Sequence, residues 1–245
     1  MKKLVRVFLF FAAVALVAPT AQAFVLAEQV PGKWGPPTDG TGATVTWSLT
    51  PTGSSCASEL DFGVCTITSL ADFMPAGFLT QIQNAFTAWS AVANINFVQI
   101  ADDGAAFDAA TSSGDIRLGG HVFDGQSRIL AHGYFPPDNG LSAAGDIHFD
   151  IAEVWKIGFG GPGFEFDIFQ IAAHEIGHAI GLHHTEVPNS LMNPFYTEAI
   201  SGPQADDIAG ARFIYGARAA VPEPGLAALL AIGFLALGLS RRIRV

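Results

Sequence analysis

The chain has 245 residues and a formal net charge of −10, and between Phe24 and Ala220 the imbalance deepens to 21 acidic against six basic side chains. That balance argues against nucleic acid as a partner, since phosphates demand a basic face; so many carboxylates suit bound cations, and hard Ca²⁺ in particular. Roughly 195 residues between two apolar terminal segments suffice for one well-buried core without a second domain, and no internal repeat is present.

Taken in order, Lys2, Lys3 and Arg6 are followed by an apolar run over 7–18 and then Ala21-Gln22-Ala23. A basic start, a short apolar centre and an A-x-A end predict a secretory signal peptide over 1–23, cleaved after Ala23. Export permits disulfides, so the only two cysteines, Cys56 and Cys65, are expected to pair. Residues 43–49 alternate Val45, Trp47 and Leu49 with Thr44, Thr46 and Ser48, the pattern of a half-buried strand. Over 75–92, Phe78, Ile82, Ala85, Phe86 and Trp89 fall on one helical stripe, and Pro75 suits a first turn. A strand follows over 94–100, and the acids, glycine and small residues of 102–113 predict a mobile surface loop. Strands are expected over 115–118, 129–135 and 145–150, and a last helix over 203–215.

Between these lies the segment 174–184, which reads H-E-x-x-H-x-x-G-x-x-H. The apolar residues of 166–173 predict a helix running from Asp167 through the first two histidines, which projects His174 and His178 from one face to share a Zn²⁺. Gly181, with no Cβ, can end that helix and turn the chain so that His184 supplies a third nitrogen. Three protein ligands leave a position for water, acidified to a pKa of about 7, and Glu175 beside the first ligand is the expected general base.

The longer pattern resembles the metzincin clan of zinc proteases. Thr185, the Leu191-Met192 pair and Pro194-Phe195-Tyr196 bring it closer to the matrixins, the matrix metalloproteinase family, than to astacins. The resemblance covers most of 33–216. It implies an α+β metzincin/matrixin catalytic domain in the order β-α-β-β-β-β-α-α, with a twisted, mostly parallel sheet of about five strands and three helices. It places Met192 as an apolar floor beneath the catalytic zinc, and Pro194 and Tyr196 on the pocket for the side chain after the scissile bond. Asn193 departs from the tyrosine often found there. Phe123-Asp124-Gly125, Leu130-Ala131-His132 and 145–150 with Glu153 and Trp155 look like the matrixin segments that hold a structural zinc and a calcium. By position, His132 and His148 become structural-zinc ligands, with His121 a candidate third. The loop that carries the family's usual histidine and aspartate pair is about four residues shorter here, so this reading supplies no fourth ligand. Asp124, Asp150 and Glu153 match calcium-binding carboxylates, and the backbone of 129–131 is expected to pair with an extended peptide. The short stretch between Ala23 and the domain holds no cysteine, so a zymogen held latent by cysteine on zinc is not expected.

Beyond Arg218 the composition changes. Val221-Pro222-Glu223-Pro224 precedes an apolar run over 225–240 and Arg241-Arg242-Ile243-Arg244. This resembles the PEP-CTERM sorting signal of Gram-negative bacteria, processed by an exosortase; sixteen residues give about 24 Å of helix, enough for a transient inner-membrane span with basic flanks. The expected organisation is therefore a signal peptide over 1–23, a matrixin-like domain over 24–217, a linker over 218–224 and a sorting helix over 225–245. Together these features predict an exported zinc endopeptidase of the cell envelope, surface or extracellular matrix, acting on a protein or peptide. The alternative is a non-catalytic structural protein of the envelope or matrix stabilised by metals.

Overall fold

The computed structural model describes residues 24–27, 32–59, 63–136, 143–161 and 163–219. In chain order these form β1 (Val25–Leu26), β2 (Ala43–Leu49), α1 (Leu70–Phe73), α2 (Phe78–Val92), β3 (Ile95–Gln99), β4 (Ile116–His121), β5 (Ala131–Gly133), β6 (Ile147–Asp150), β7 (Trp155–Lys156), β8 (Phe166–Asp167), α3 (Ile168–Ala179), β9 (Leu182–His183) and α4 (Ala205–Tyr215). The signal peptide and the Pro-Glu-Pro tail read from the sequence lie outside the described residues. Among the described residues no helix is long and apolar enough to cross a membrane.

Alternation along β2 buries Val45 and Trp47, and the Trp47 ring stacks on Phe86 of α2 with centroids 4.7 Å apart. The sheet built on β2 has the order β3-β2-β4-β6-β5, parallel throughout except for β5, which runs antiparallel to β6 at one edge. Strands β4 and β6 have neighbours on both sides and are buried along their whole length. Helix α2 packs on β3 and α3 on β5 and β6, so the two helices meet over the sheet. Their junction is fixed by Trp89, which is fully buried and donates its indole N–H to Ala173 O at 2.8 Å. Burying so large a side chain in an apolar core supplies about 25 cal/mol for each Å² removed from water, and the hydrogen bond spares its polar edge a desolvation penalty.

The end of α3 determines everything downstream of it. Gly181 has φ of +103°, where a Cβ is strained, and an added Cβ would lie 2.3 Å from Gly32 O. The last carbonyls of α3, which have no partner within the helix, are taken up from outside: Trp34 Nε1 donates to Ala179 O at 2.7 Å and Tyr215 Oη to Ile180 O at 3.0 Å. β9 then pairs with β1, which secures the short link from the second to the third histidine.

Several expected boundaries move. Helix α2 starts at Phe78 because Gly77, at φ of +96°, forms its N-cap. β5 is three residues long, although Asp150 N to Leu130 O and Tyr134 N to Asp146 O continue its pairing at both ends. The single-turn α1 and the two-residue strands β1, β7, β8 and β9 are too short to show any period in sequence.

The loop over 102–113, expected from its composition to be a mobile surface segment, is anchored at its start by an ion pair. Arg117 grips Asp102 through Nε at 2.9 Å and through a second nitrogen at 2.8 Å, with both side chains 3 % exposed. Asp103 accepts hydrogen bonds from the backbone N–H groups of Ala105 and Ser112, which folds the loop onto itself. Burial opposes ionisation of Asp102, but hydrogen bonds from Arg117 and Ser48 outweigh it and hold the carboxyl below its usual range. Asp102→Ala leaves the guanidinium buried without its carboxylate and is expected to cost about 3–5 kcal/mol in urea unfolding at pH 7. Because the folded-state carboxyl is the stronger acid, its contribution is present above the unfolded value of about 3.9 and is lost as pH falls below it, so wild type and variant should converge in acid.

Candidate metal centre and cleft

His174 and His178 lie four residues apart on α3, which starts one residue after Asp167; that side chain caps the helix by accepting from Gln170 N at 2.9 Å. Each imidazole is oriented by a backbone carbonyl. His174 Nδ1 lies 2.6 Å from Leu191 O and His178 Nδ1 2.8 Å from Leu182 O. A carbonyl only accepts, so both Nδ1 atoms carry the proton and both Nε2 atoms present bare lone pairs. Those two Nε2 atoms each lie 3.1 Å from His184 Nε2. One proton on His184 cannot serve both contacts, and the spacing is close to the roughly 3.3 Å edge of a tetrahedron with Zn–N bonds of about 2.0–2.1 Å. The three nitrogens thus fit a zinc ion. Burial disfavours the charged form of all three imidazoles, moving His174 down to about 4 and His178 and His184 below their ordinary value, which keeps them in the neutral form that ligates.

Glu175 is buried beside this set; desolvation raises its carboxyl to about 8 against a hydrogen bond from the Gly133 backbone, and its Oε2 has no hydrogen-bond partner. It lines a cleft of about 580 Å³ shared with Leu130, Ala131, His174, His184 and Pro194. β5, the sheet's edge strand, forms one wall and 193–197 the other. Pro194 and Tyr196 both stand on that second wall, and the Tyr196 hydroxyl reaches back to accept from Asp167 N at 3.0 Å, joining the wall to the start of α3. Phe195 is largely exposed at the rim.

Met192 is buried, with its sulfur packed on the α3 backbone at Gly177. A Cβ on Gly177 would lie 2.3 Å from Met192 Sδ and 3.1 Å from the Trp89 ring, so glycine is what allows this approach. The turn that carries Met192 is organised by a residue sequence reading missed. Asp207, in the first turn of α4 and 1 % exposed, accepts from the Ser190 hydroxyl, Leu191 N at 2.8 Å, Met192 N at 3.1 Å and Gln204 N at 2.7 Å. The same turn presents Leu191 O to His174. An aspartate in a helix's first turn reads in sequence as an ordinary dipole-matched cap, and nothing marks it as reaching seventeen residues back.

Two further groups were expected. His121, His132 and His148 do come together, and with them a fourth residue absent from the sequence reading: Glu59. Its carboxylate meets His121 Nε2 at 3.0 Å, His132 Nε2 at 2.7 Å and His148 Nδ1 at 2.9 Å. Burial opposes its ionisation, yet the three imidazoles overcome this and hold it well below the usual carboxylate range. Cys56 and Cys65 form a disulfide, with Cα atoms 4.7 Å apart, which removes both sulfurs as metal ligands. Asp124, Asp150 and Glu153 are less convergent. Asp150 is fully buried with Oδ2 lacking a hydrogen-bond partner, and burial and the neighbouring Asp150 and Asp124 raise the Glu153 carboxyl, but the three are not among the sets whose donor atoms meet within 4.8 Å.

The sequence matches the family model described as Matrixin over residues 56–216. It is 36 % identical to karilysin of Tannerella forsythia over 135 residues, 55 % of this chain and 28 % of karilysin. It is 45 % identical to stromelysin-3 of Xenopus laevis over 104 residues, 42 % of this chain and 20 % of that protein. It is also 38 % identical to human matrix metalloproteinase-20 over 142 residues, 56 % of this chain and 27 % of that protein. The chain thus spans between a fifth and just over a quarter of these relatives' lengths.

Since Asp207 holds the turn that orients His174, Asp207→Ala is expected to weaken zinc binding by about 10–100-fold, as loss of outer-sphere partners commonly does. Competition with a chromophoric chelator measures this, with an unchanged far-ultraviolet circular dichroism spectrum showing that the fold persists.

Proposed function

The chain belongs to the matrixin family, and on that premise we propose that it is a zinc-dependent endopeptidase in which His174, His178 and His184 hold the metal and Glu175 is the general base. The observation that carries this reading is the convergence of two carbonyl-fixed, proton-free Nε2 atoms on His184 at 3.1 Å. When bound, zinc supplies a Lewis acid that polarises the scissile carbonyl and acidifies water. Glu175, with one carboxylate oxygen unpartnered beside the cleft, takes the proton of the attacking water and delivers it to the leaving amine.

An extended peptide lies along the free edge of β5, where backbone groups near 129–131 pair with it and align the scissile bond over α3. The wall bearing Pro194 and Tyr196 receives the side chain that follows this bond, and Met192 supports the metal from beneath. A second zinc at the His121, His132 and His148 group and a calcium at Asp124, Asp150 and Glu153 serve structure; the buried, unpartnered Asp150 Oδ2 supports the latter. The domain lies within 24–217. The basic and apolar segment of 1–23 supports export, and the Pro-Glu-Pro motif with its apolar, basic-ended tail supports surface sorting by an exosortase after transient membrane insertion.

Glu175→Gln removes the base and keeps the ligands. We expect peptide cleavage to fall by at least about 10²–10⁴-fold while the zinc content stays unchanged. Cleavage of a fluorogenic peptide library, beside metal analysis and a chelator control, tests this; a folded, zinc-loaded wild type that cleaves nothing would favour the structural-protein reading.

A further inference from the structure

The second histidine group differs from the first in where its donors come from. His121 ends β4, His132 is on β5 and His148 on β6, three strands of one sheet. Glu59 comes from none of them: it sits in the segment closed by the Cys56–Cys65 disulfide, more than 60 residues before the nearest of the three histidines in sequence.

The convergence of four donor groups points to a cation between these side chains. His121 Nδ1 lies 3.0 Å from Val122 O, a contact that turns its Nε2 toward Glu59 Oε2 at 3.0 Å. His132 Nε2 and His148 Nδ1 approach the same carboxylate at 2.7 and 2.9 Å, and all four donor atoms lie within 4.8 Å of one another. Three imidazoles and one carboxylate make a closed four-coordinate donor set of the kind structural zinc occupies.

The position of Glu59 is built as carefully as those of the histidines. Glu59 N donates to Cys56 O at 3.0 Å, and Cys56 N to Cys65 O at 3.1 Å, so the turn bearing the carboxylate starts at the disulfide itself. The Ser58 hydroxyl donates to Phe107 O at 2.8 Å and Phe107 N to Ser55 O at 2.7 Å, which fastens this turn to the loop pinned by Arg117 and Asp102. The Tyr134 hydroxyl donates to Glu59 Oε1 at 3.0 Å and fixes the carboxylate's rotation.

We infer that Glu59 is the fourth ligand of a second zinc site, carried in by the disulfide-closed segment in place of a ligand from the shortened loop after β4, and that the Cys56–Cys65 bond tightens this site by holding Glu59 in place. The inference rests on the reading of the protein as a zinc-binding matrixin, but it concerns a different ion from the catalytic one, so the two are separable by counting metal.

The test is zinc per chain in the full-length protein after equilibration with a competing chelator, together with the visible spectrum of the cobalt(II)-substituted protein. Wild type should hold two zinc ions, Glu59→Gln and His174→Ala one each, and cobalt at the second site should give the intense absorption of a tetrahedral nitrogen and oxygen set. Replacing both cysteines by serine should weaken the second zinc by about 10–100-fold, the range for loss of a group that positions a ligand. Two ions of unchanged affinity in Glu59→Gln would overturn the inference, as would a single wild-type zinc that Glu59→Gln leaves in place and His174→Ala removes. Unchanged affinity in the double serine variant would overturn the role of the disulfide. A single zinc lost in Glu59→Gln but kept in His174→Ala would sustain the inference and sink the catalytic reading instead. The cobalt spectrum of His174→Ala, in which the second site is untouched, reads that donor set apart from the catalytic one.

Discussion

The arrangement depends above all on two hydrogen bonds from imidazole to backbone carbonyl, His174 to Leu191 and His178 to Leu182. They do more than steer rings. By committing the proton of each imidazole to Nδ1 they make Nε2 a ligand before any metal arrives, so the cost of choosing a tautomer is met by folding. The carbonyls must then be held as firmly as the histidines. Leu182 lies in β9, which is paired with β1 and follows a helix end closed by Trp34 and Tyr215. Leu191 lies in a turn that has no ladder to hold it, and the buried carboxylate of Asp207 replaces one, with acceptor oxygens for two consecutive backbone N–H groups.

Packing beneath α3 follows the same requirement. Trp89 and Met192 both press on the helix around Gly177, where a side chain would push them away, and Trp89 also spends its indole N–H on Ala173 O. Glycine inside a helix costs roughly 1 kcal/mol of propensity against alanine. Here the loss is offset by the contact of two large side chains, each buried almost completely. The metal centre is thus supported on the far side of its own helix, which limits the ways a ligand ring can tilt.

Legibility in the sequence followed range. The two histidines of the helix, its stop at Gly181 and the third histidine beyond lie within eleven residues, and their periodicity and glycine chemistry are local properties. β2 and α2 were equally visible because alternation and a helical stripe are written into their own residues. The contribution of Asp207 was not, because a first-turn aspartate looks the same whether it caps its helix or reaches a distant turn. Glu59 was hidden for a related reason: a carboxylate in a short loop has no spacing relation to histidines on three strands. The anchoring of the 102–113 loop was hidden as well: a buried bidentate pair with Arg117 and the hydrogen bonds accepted by Asp103 tie it down, and neither interaction has a sequence signature.

The two histidine groups solve one problem by different routes, and the difference bears on what each can do. At the first, three donors come from one short stretch of chain, oriented by carbonyls, and a buried carboxylate stands beside them with one oxygen unpartnered. Such a set leaves a place for water and substrate. At the second, the carboxylate lies within the donor set, and four separate segments are needed to build it. Closing a metal's coordination with a fourth protein ligand gives up reactivity and gains connection, because each ligand adds a segment that cannot move without breaking a bond. The segments so joined are β4, the edge strand β5, β6 and the disulfide turn. Since β5 also forms a wall of the cleft, a metal held at His132 would stiffen that wall only one residue from Gly133, whose backbone holds Glu175.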